Sequence, residues 1–307
     1  MAFFHGVRVK EVPTSILTPV NTTAGLPVVF GTAPVHLTAD PAKNVNRPVI
    51  CYSWDEAVTA LGYSDDWDAY TLSEVMYAQF KLYGVQPIIF VNVLDPKKHK
   101  AEVRDTTGHT VTEGRVILSD AVLLDTLRVK NAEAAEPAAH LTDYTAAYDD
   151  DGRLVISVTP TGALKNTEKL YLDYDRIDPQ KVKDADIIGG ASKSGTAGLE
   201  WLDAIYTLFS LVPGIVAAPG WSEHPAVASV MKAKAMNISG LFRCICLTDV
   251  DTGEVKHYAD VNAWKNKNSY TGVNQVVCWP CVKNGDMVFH MSTHILGIIG
   301  VMDAANG

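Results

Sequence analysis

The sequence predicts an α/β core with an inserted all-β domain and an extended N-terminal arm. Three observations carry this reading. Short apolar runs bounded by glycine or proline recur at 25–31, 87–94 and 215–218, as strands buried on both faces of a parallel sheet require. Segments with helical periodicity and capping residues separate these runs. Between 97 and 185 the apolar period falls to two and turn residues punctuate it, the mark of antiparallel hairpins. The expected division is an arm over 1–20, a discontinuous core over 21–96 and 186–307, and an inserted β domain over 97–185.

The arm alternates apolar and polar side chains, Val7, Val9 and Val12 against Arg8 and Lys10, and then passes through Pro13 and Pro19. An extended segment with open main-chain groups needs a strand to pair with, so these valines are candidate subunit contacts. After the buried strand of 25–31, Ser53-Trp54-Asp55-Glu56 reads as a capping box closed by Gly62. Thr71-Leu72-Ser73-Glu74 repeats the pattern and opens a helix with Leu72, Val75, Met76 and Tyr83 on one face, stopped by Gly84. The apolar run 87–94 then completes a βαβ-like unit.

In the inserted domain Tyr144, Ala146 and Tyr148 alternate up to the turn Asp150-Asp151-Gly152, and Leu154, Ile156 and Val158 answer them. Leu170 to Tyr174 continue the same period. Beyond it, Leu199, Leu202, Tyr206 and Phe209 predict a helix ended by Pro213-Gly214, followed by the strand 215–218. Ser222 is expected to cap a helix reaching Met236. Strands are expected at 241–247 and 273–278, and a last helix over 292–305.

With 307 residues, 47% hydrophobic and 20% charged, the chain has material for a well-buried core. Its net charge of −9 and the absence of a basic run beyond Lys97-Lys98-His99-Lys100 argue against nucleic acid as a partner. No apolar stretch approaches the roughly 18 residues of a membrane span and no leader pattern opens the chain, so the reading is a chain made and kept in the cytosol, without a membrane partner. Five cysteines, an odd number in a long chain, fit a reducing compartment better than a disulfide framework.

Several motifs imitate chemistry. Cys278-Trp279-Pro280-Cys281 has thiol-redox spacing, and Cys244 with Cys246 would complete a four-thiolate zinc set. The CxxC follows a strand instead of opening a helix, so core packing is the simpler reading, and a zinc- or thiol-dependent enzyme is the alternative function. His290 and His294 stand at helical i and i+4, but Met291 occupies the place of the protease general base. Gly190-Ala191-Ser192-Lys193-Ser194-Gly195-Thr196 looks like a phosphate loop with Thr196 where the lysine belongs, and reads better as a flexible linker. Asp65-Asp66-x-Asp68 and Asp149-Asp150-Asp151 read as solvated turns. No Gly-x-Ser-x-Gly elbow occurs. No catalytic residue, metal or cofactor is therefore expected.

One match is more specific than these. The block Ile215-Val216-Ala217-Ala218-Pro219-Gly220-Trp221-Ser222, the opening His5-Gly6-Val7-Arg8-Val9-Lys10-Glu11-Val12-Pro13 with Leu26-Pro27-Val28-Val29-Phe30-Gly31-Thr32-Ala33-Pro34, the stretch 249–266, and Ile187-Ile188-Gly189-Gly190 together resemble the tail sheath proteins of contractile-tailed bacteriophages and prophages. The resemblance runs through essentially the whole chain in order. It implies a non-enzymatic structural subunit of the virion tail, assembled in the host cytoplasm, with a core likened to subtilisin but without proteolytic function. It further implies self-assembly into hexameric rings stacked around a tail tube on a baseplate, and contraction that drives the tube through the host envelope. On that template the CxxC falls where aromatic and proline residues stand, which favours packing. Sheath subunits usually continue past the point matching 302–307 into a C-terminal region. A second alternative is an envelope- or carbohydrate-binding module whose inserted β domain does the recognition.

Overall fold

The structure is a computed structural model and describes residues 20–21, 25–192 and 195–306. Of the arm expected over 1–20, only Val20 falls within these, so the candidate contacts Val7, Val9 and Val12 lie outside the described residues.

Strand β1 (Val20–Asn21) is followed by β2 (Pro27–Gly31), whose residues are all buried. After β3 (Pro48–Cys51), Ser53 caps α1 (Trp54–Leu61): its Oγ accepts from Glu56 N–H at 3.2 Å and the Glu56 carboxylate accepts from Tyr52 N–H at 2.7 Å. Gly62, at φ +75°, ends the helix, and a Cβ there would meet the Pro34 carbonyl oxygen at 2.4 Å. Helix α2 (Thr71–Tyr77) departs from expectation. Tyr70 precedes it without a side-chain cap, and Glu74 turns inward to a partner far along the chain. A π-helical turn, Ala78–Tyr83, leads through Gly84 to β4 (Val85–Gln86), paired in parallel with β1, and to the fully buried β5 (Ile88–Asn92).

The chain then becomes antiparallel. In order come β6 (Lys100–Arg104), β7 (His109–Thr110), β8 (Arg115–Leu118), β9 (Arg128–Lys130), β10 (Tyr144–Tyr148), β11 (Leu154–Val158) and β12 (Lys169–Ile177). One sheet has the order β10-β11-β8; β12 pairs with β6, β7 and β9 in another. Tyr148 faces Leu154 across a turn in which Asp149 Oδ1 accepts from Asp151 N–H and Arg153 N–H. Alternation sends Leu154, Ile156, Leu170, Leu172 and Val129 into a second hydrophobic cluster, separate from that of the main sheet.

After α3 (Asp184–Ile188), the segment read as a flexible linker is a hairpin, β13 (Gly190–Ser192) with β14 (Gly195–Ala197). Glycine geometry produces it: a Cβ on Gly189, at φ +68°, would lie 1.9 Å from the Ala197 carbonyl oxygen. The helix expected through Leu199 and Phe209 is instead a 3-10 segment, Gly198–Ala204, followed by the short α4 (Ile205–Phe209), and Tyr206 is 45% exposed. Strand β15 (Ile215–Ala217) precedes α5 (Pro225–Met236), which starts at proline, not at a Ser222 cap. Strand β16 (Ile245–Asp249) begins later than expected, since Leu241 is exposed in a turn. Helix α6 (Tyr258–Lys267), β17 (Gln275–Cys278), the hairpin of β18 (Val282–Asn284) and β19 (Met287–Phe289), and α7 (Met291–Asn306) complete the chain.

The main sheet has the order β17-β16-β15-β2-β5-β3, parallel except for β3. The fold is thus mixed α/β with additional antiparallel sheets. Both α5 and α7 pack on β15 and β16, and α7 also reaches β1 and β4. Among the described residues no helix is long and apolar enough to cross a membrane.

Candidate functional site

Open α/β sheets carry their sites at the carboxyl ends of parallel strands. Here that end holds a buried polar network. Asp249, the last residue of β16, accepts from Ser222 Oγ at 3.1 Å, Ser292 N–H at 3.0 Å and Ser292 Oγ at 2.5 Å, while its own N–H donates to Ser222 Oγ at 3.0 Å. Tyr270 donates its hydroxyl to the Ser222 carbonyl at 2.9 Å. Beside it, Glu74 of α2 accepts from His290 N–H at 2.8 Å, from His290 Nδ1 at 2.7 Å and from Thr293 Oγ1 at 2.7 Å. At the end of β2, Thr71 N–H donates to Thr32 Oγ1 at 3.1 Å.

Two carboxylates therefore meet the N-terminus of α7, the longest helix, where exposed amides and the helix dipole favour negative charge. Burial lowers the His290 imidazole, but the Glu74 hydrogen bond and charge, with Asp249 and Glu223 beyond, outweigh it and push His290 up to about 9. Asp249 is raised by burial. The serines bond to a carboxylate and the histidine bonds to another. Among the described residues no side-chain hydrogen bond joins a histidine ring to a serine or threonine hydroxyl or a cysteine thiol. A nucleophile with its base is not assembled; the network ties elements together.

The imitative motifs also take structural partners. His290 is held by Glu74, and His294 Nδ1 pairs with Tyr83 Oη at 2.6 Å, so the two imidazoles do not converge. Cys246 lies inside β16, Cys244 just before it and Cys278 at the end of the neighbouring β17; Cys281 is half-buried with its sulfur 3.7 Å from Thr252 Oγ1. Burial pushes the Cys244 thiol up to about 12 and raises Cys246, Cys278 and Cys281 as well, which favours thiols over reactive thiolates. Among the described residues no three His, Cys, Asp or Glu stand as a metal-holding group.

Sequence reasoning read Glu74 only as a cap residue and did not single out Asp249. Each carried a signal: Glu74 interrupts the apolar run Leu72, Val75, Met76, and Asp249 closes a buried strand. A second tie sits where the chain leaves and re-enters the core. The side chain of Asp186 pairs with Lys98 Nζ and accepts from Lys183 N–H at 2.8 Å, and His99 Nε2 stands 3.4 Å from it. His99 is itself buried, its Nδ1 accepting from Asp95 N–H at 2.9 Å and its carbonyl from Asp178 N–H at 2.9 Å.

The sheet core joins remote elements through buried polar groups and carries a β-rich region with its own apolar cluster, and among the described residues these polar groups form no nucleophile–base pair. No family model matches the chain. The tail sheath protein of Burkholderia phage BcepMu is 27% identical over 243 residues, 78% of this chain and 48% of that protein. The chain thus spans about half the length of this curated relative. Among solved structures, the sheath tail protein of Desulfitobacterium hafniense aligns with a TM-score of 0.40 at 9% identity, covering 97% of this chain and 62% of that one. The chain is thus similar in sequence to a phage tail sheath protein over most of its own length.

Proposed function

We propose that the chain is a subunit of a phage-type contractile tail sheath. Copies polymerise into hexameric rings stacked around a tail tube on the baseplate, assembled in the host cytoplasm and carried in the virion tail. Contraction of that lattice drives the tube through the host envelope. The observation that carries the reading is the 27% identity to a phage tail sheath protein across 78% of the chain.

In this reading 21–96 and 186–307 form one discontinuous core of subtilisin-like type, 97–185 forms the inserted β domain, and 1–20 is an arm. The parallel sheet with α5 and α7 packed on it supports the first part, and the separate apolar cluster of the β-rich region supports the second. The arm contacts a neighbouring copy through Val7, Val9 and Val12. Strand addition of this kind joins subunits by main-chain hydrogen bonds that tolerate changes of orientation, as a lattice that slides must.

Light scattering across a concentration series, with electron microscopy of whatever forms, tests the proposal. Rings or tubes that disappear when 1–20 are deleted are expected. A strictly monomeric chain at every concentration would count against a sheath subunit, and normal polymers from the deletion would remove the arm from the account.

A further inference from the structure

Two open clefts of about 700 Å³ and about 930 Å³ lie along the seam between the parallel-sheet core and the β-rich region. They share Asp66, Tyr70, Ser119 and Ala121 and so run on as one trough. Its charges are unevenly matched. The cationic side chains that line it are already engaged: Arg153 by Asp149 and Asp151, His224 by Asp184 and His290 by Glu74, while Arg176 stands 3.7 Å from Asp120. Asp65, Asp66 and Asp68 line the core wall and Asp150, in the β10–β11 turn, lines the other. All four are exposed, and none makes an ion pair among the described residues.

A single metal ion does not answer this pattern. Among the described residues no three His, Cys, Asp or Glu stand as a metal-holding group. Carboxylates spread along two walls match a ligand whose positive charges are spread as well.

A second observation is independent of charge. His36, only 7% exposed, lines the trough between the rings of Tyr70 and Tyr148, at 5.8 and 5.4 Å, and its Nδ1 has no hydrogen-bond partner. Buried polar atoms are ordinarily satisfied. Burial pushes this imidazole down to about 4, so it is neutral, adds no repulsion and leaves a ring nitrogen able to accept. Trp54 and Tyr63, with ring centroids 4.7 Å apart, line the same cleft and add aromatic faces of the kind on which ammonium groups rest.

We propose that the trough binds a linear aliphatic polyamine of the spermidine class, its separate ammonium groups paired with Asp65 and Asp66 on one wall and Asp150 on the other, its methylenes against the rings. A ligand so placed ties the β-rich region to the core. The inference does not depend on the sheath reading.

Calorimetric titration of spermidine into the full chain at constant ionic strength tests it. Saturable binding is expected, together with a rise in thermal midpoint, as for any ligand of the native state. Affinity should fall roughly tenfold in the triple variant Asp65→Asn, Asp66→Asn, Asp150→Asn, and by a smaller factor in Asp150→Asn alone, since each exposed charge contributes modestly. Asparagine keeps the side-chain oxygen with which Asp66 accepts from Ala69 N–H at 3.2 Å, and an unchanged circular dichroism melt of the unliganded variants checks that the fold is kept. Putrescine, with fewer charges, should bind more weakly than spermidine. No saturable binding, equal binding to the triple variant, or an equal response to magnesium at matched ionic strength, which would mean an adventitious ion only, overturns the site. Binding of an oligolysine peptide without binding of spermidine also overturns it and makes the trough a surface for basic protein segments.

Discussion

The parallel-sheet core and the β-rich region solve the same problem by opposite means. In the β-rich region, neighbours in space are neighbours in sequence: Tyr148 meets Leu154 across one turn, and Asp149 organises that turn with Arg153. In the core, the side chains that fix the C-terminal helix come from far away, Glu74 reaching His290 and Thr293 across sequence separations of 216 and 219. Local devices specify register, whereas remote buried ties specify which elements belong together. A buried tie also leaves an uncompensated group when one partner is lost, so the two kinds of device should differ in cost.

The comparison is broken most directly at Glu74. Glu74→Ala strands a half-buried imidazolium and two further donors, and a loss of about 2–3 kcal/mol in urea unfolding is expected. A loss below about 1 kcal/mol, the size of a surface pair, would show that the tie is dispensable.

Next comes pH. The folded His290 titrates at about 9 against 6.5 for the free group, so its contribution is full below about 6.5 and is lost as pH rises through about 9. The linkage amounts to on the order of 3 kcal/mol. Asp249, also raised, acts in the same sense from a lower starting pH. Stability should therefore fall on the alkaline side, and Glu74→Gln should flatten that fall; a wild-type stability unchanged between neutral pH and pH near 10 contradicts the pairing.

Smaller effects belong to the local devices. Ile156→Val in the cluster of the β-rich region should cost about 1 kcal/mol, because one methylene leaves a well-packed site. Ser53→Ala, which removes the cap of α1, should cost about 1 kcal/mol or less, read as a shift in thermal midpoint. If either equalled Glu74→Ala, the distinction between local and remote devices would fail.

The same distinction decides what the sequence makes legible. The hairpin at 144–158 and the Ser53 cap are readable because their partners lie within a few residues. The Thr71 box misleads because Glu74 has the right spacing for a cap and a better partner elsewhere, and Ser222 misleads in the same way, engaged by Asp249 across 27 residues. Helix α6 goes unpredicted because it buries only Trp264, so the sequence shows no apolar stripe. Of the four cysteines at 244, 246, 278 and 281, the first three lie buried in or beside strands and Cys281 is half-buried. Their burial, not their spacing, governs their chemistry.

The crossing at Asp186 has a mechanical consequence. Both stems of the β-rich region are stapled to each other at their base by the Lys98–Asp186 ion pair and by the hydrogen bond from Asp178 N–H to the His99 carbonyl. Two parallel tethers fixed at one point resist bending and twisting far better than a single strand does. A push on the β-rich region is thus delivered to the sheet as torque, as a lever delivers it to its fulcrum, instead of being absorbed in a slack joint.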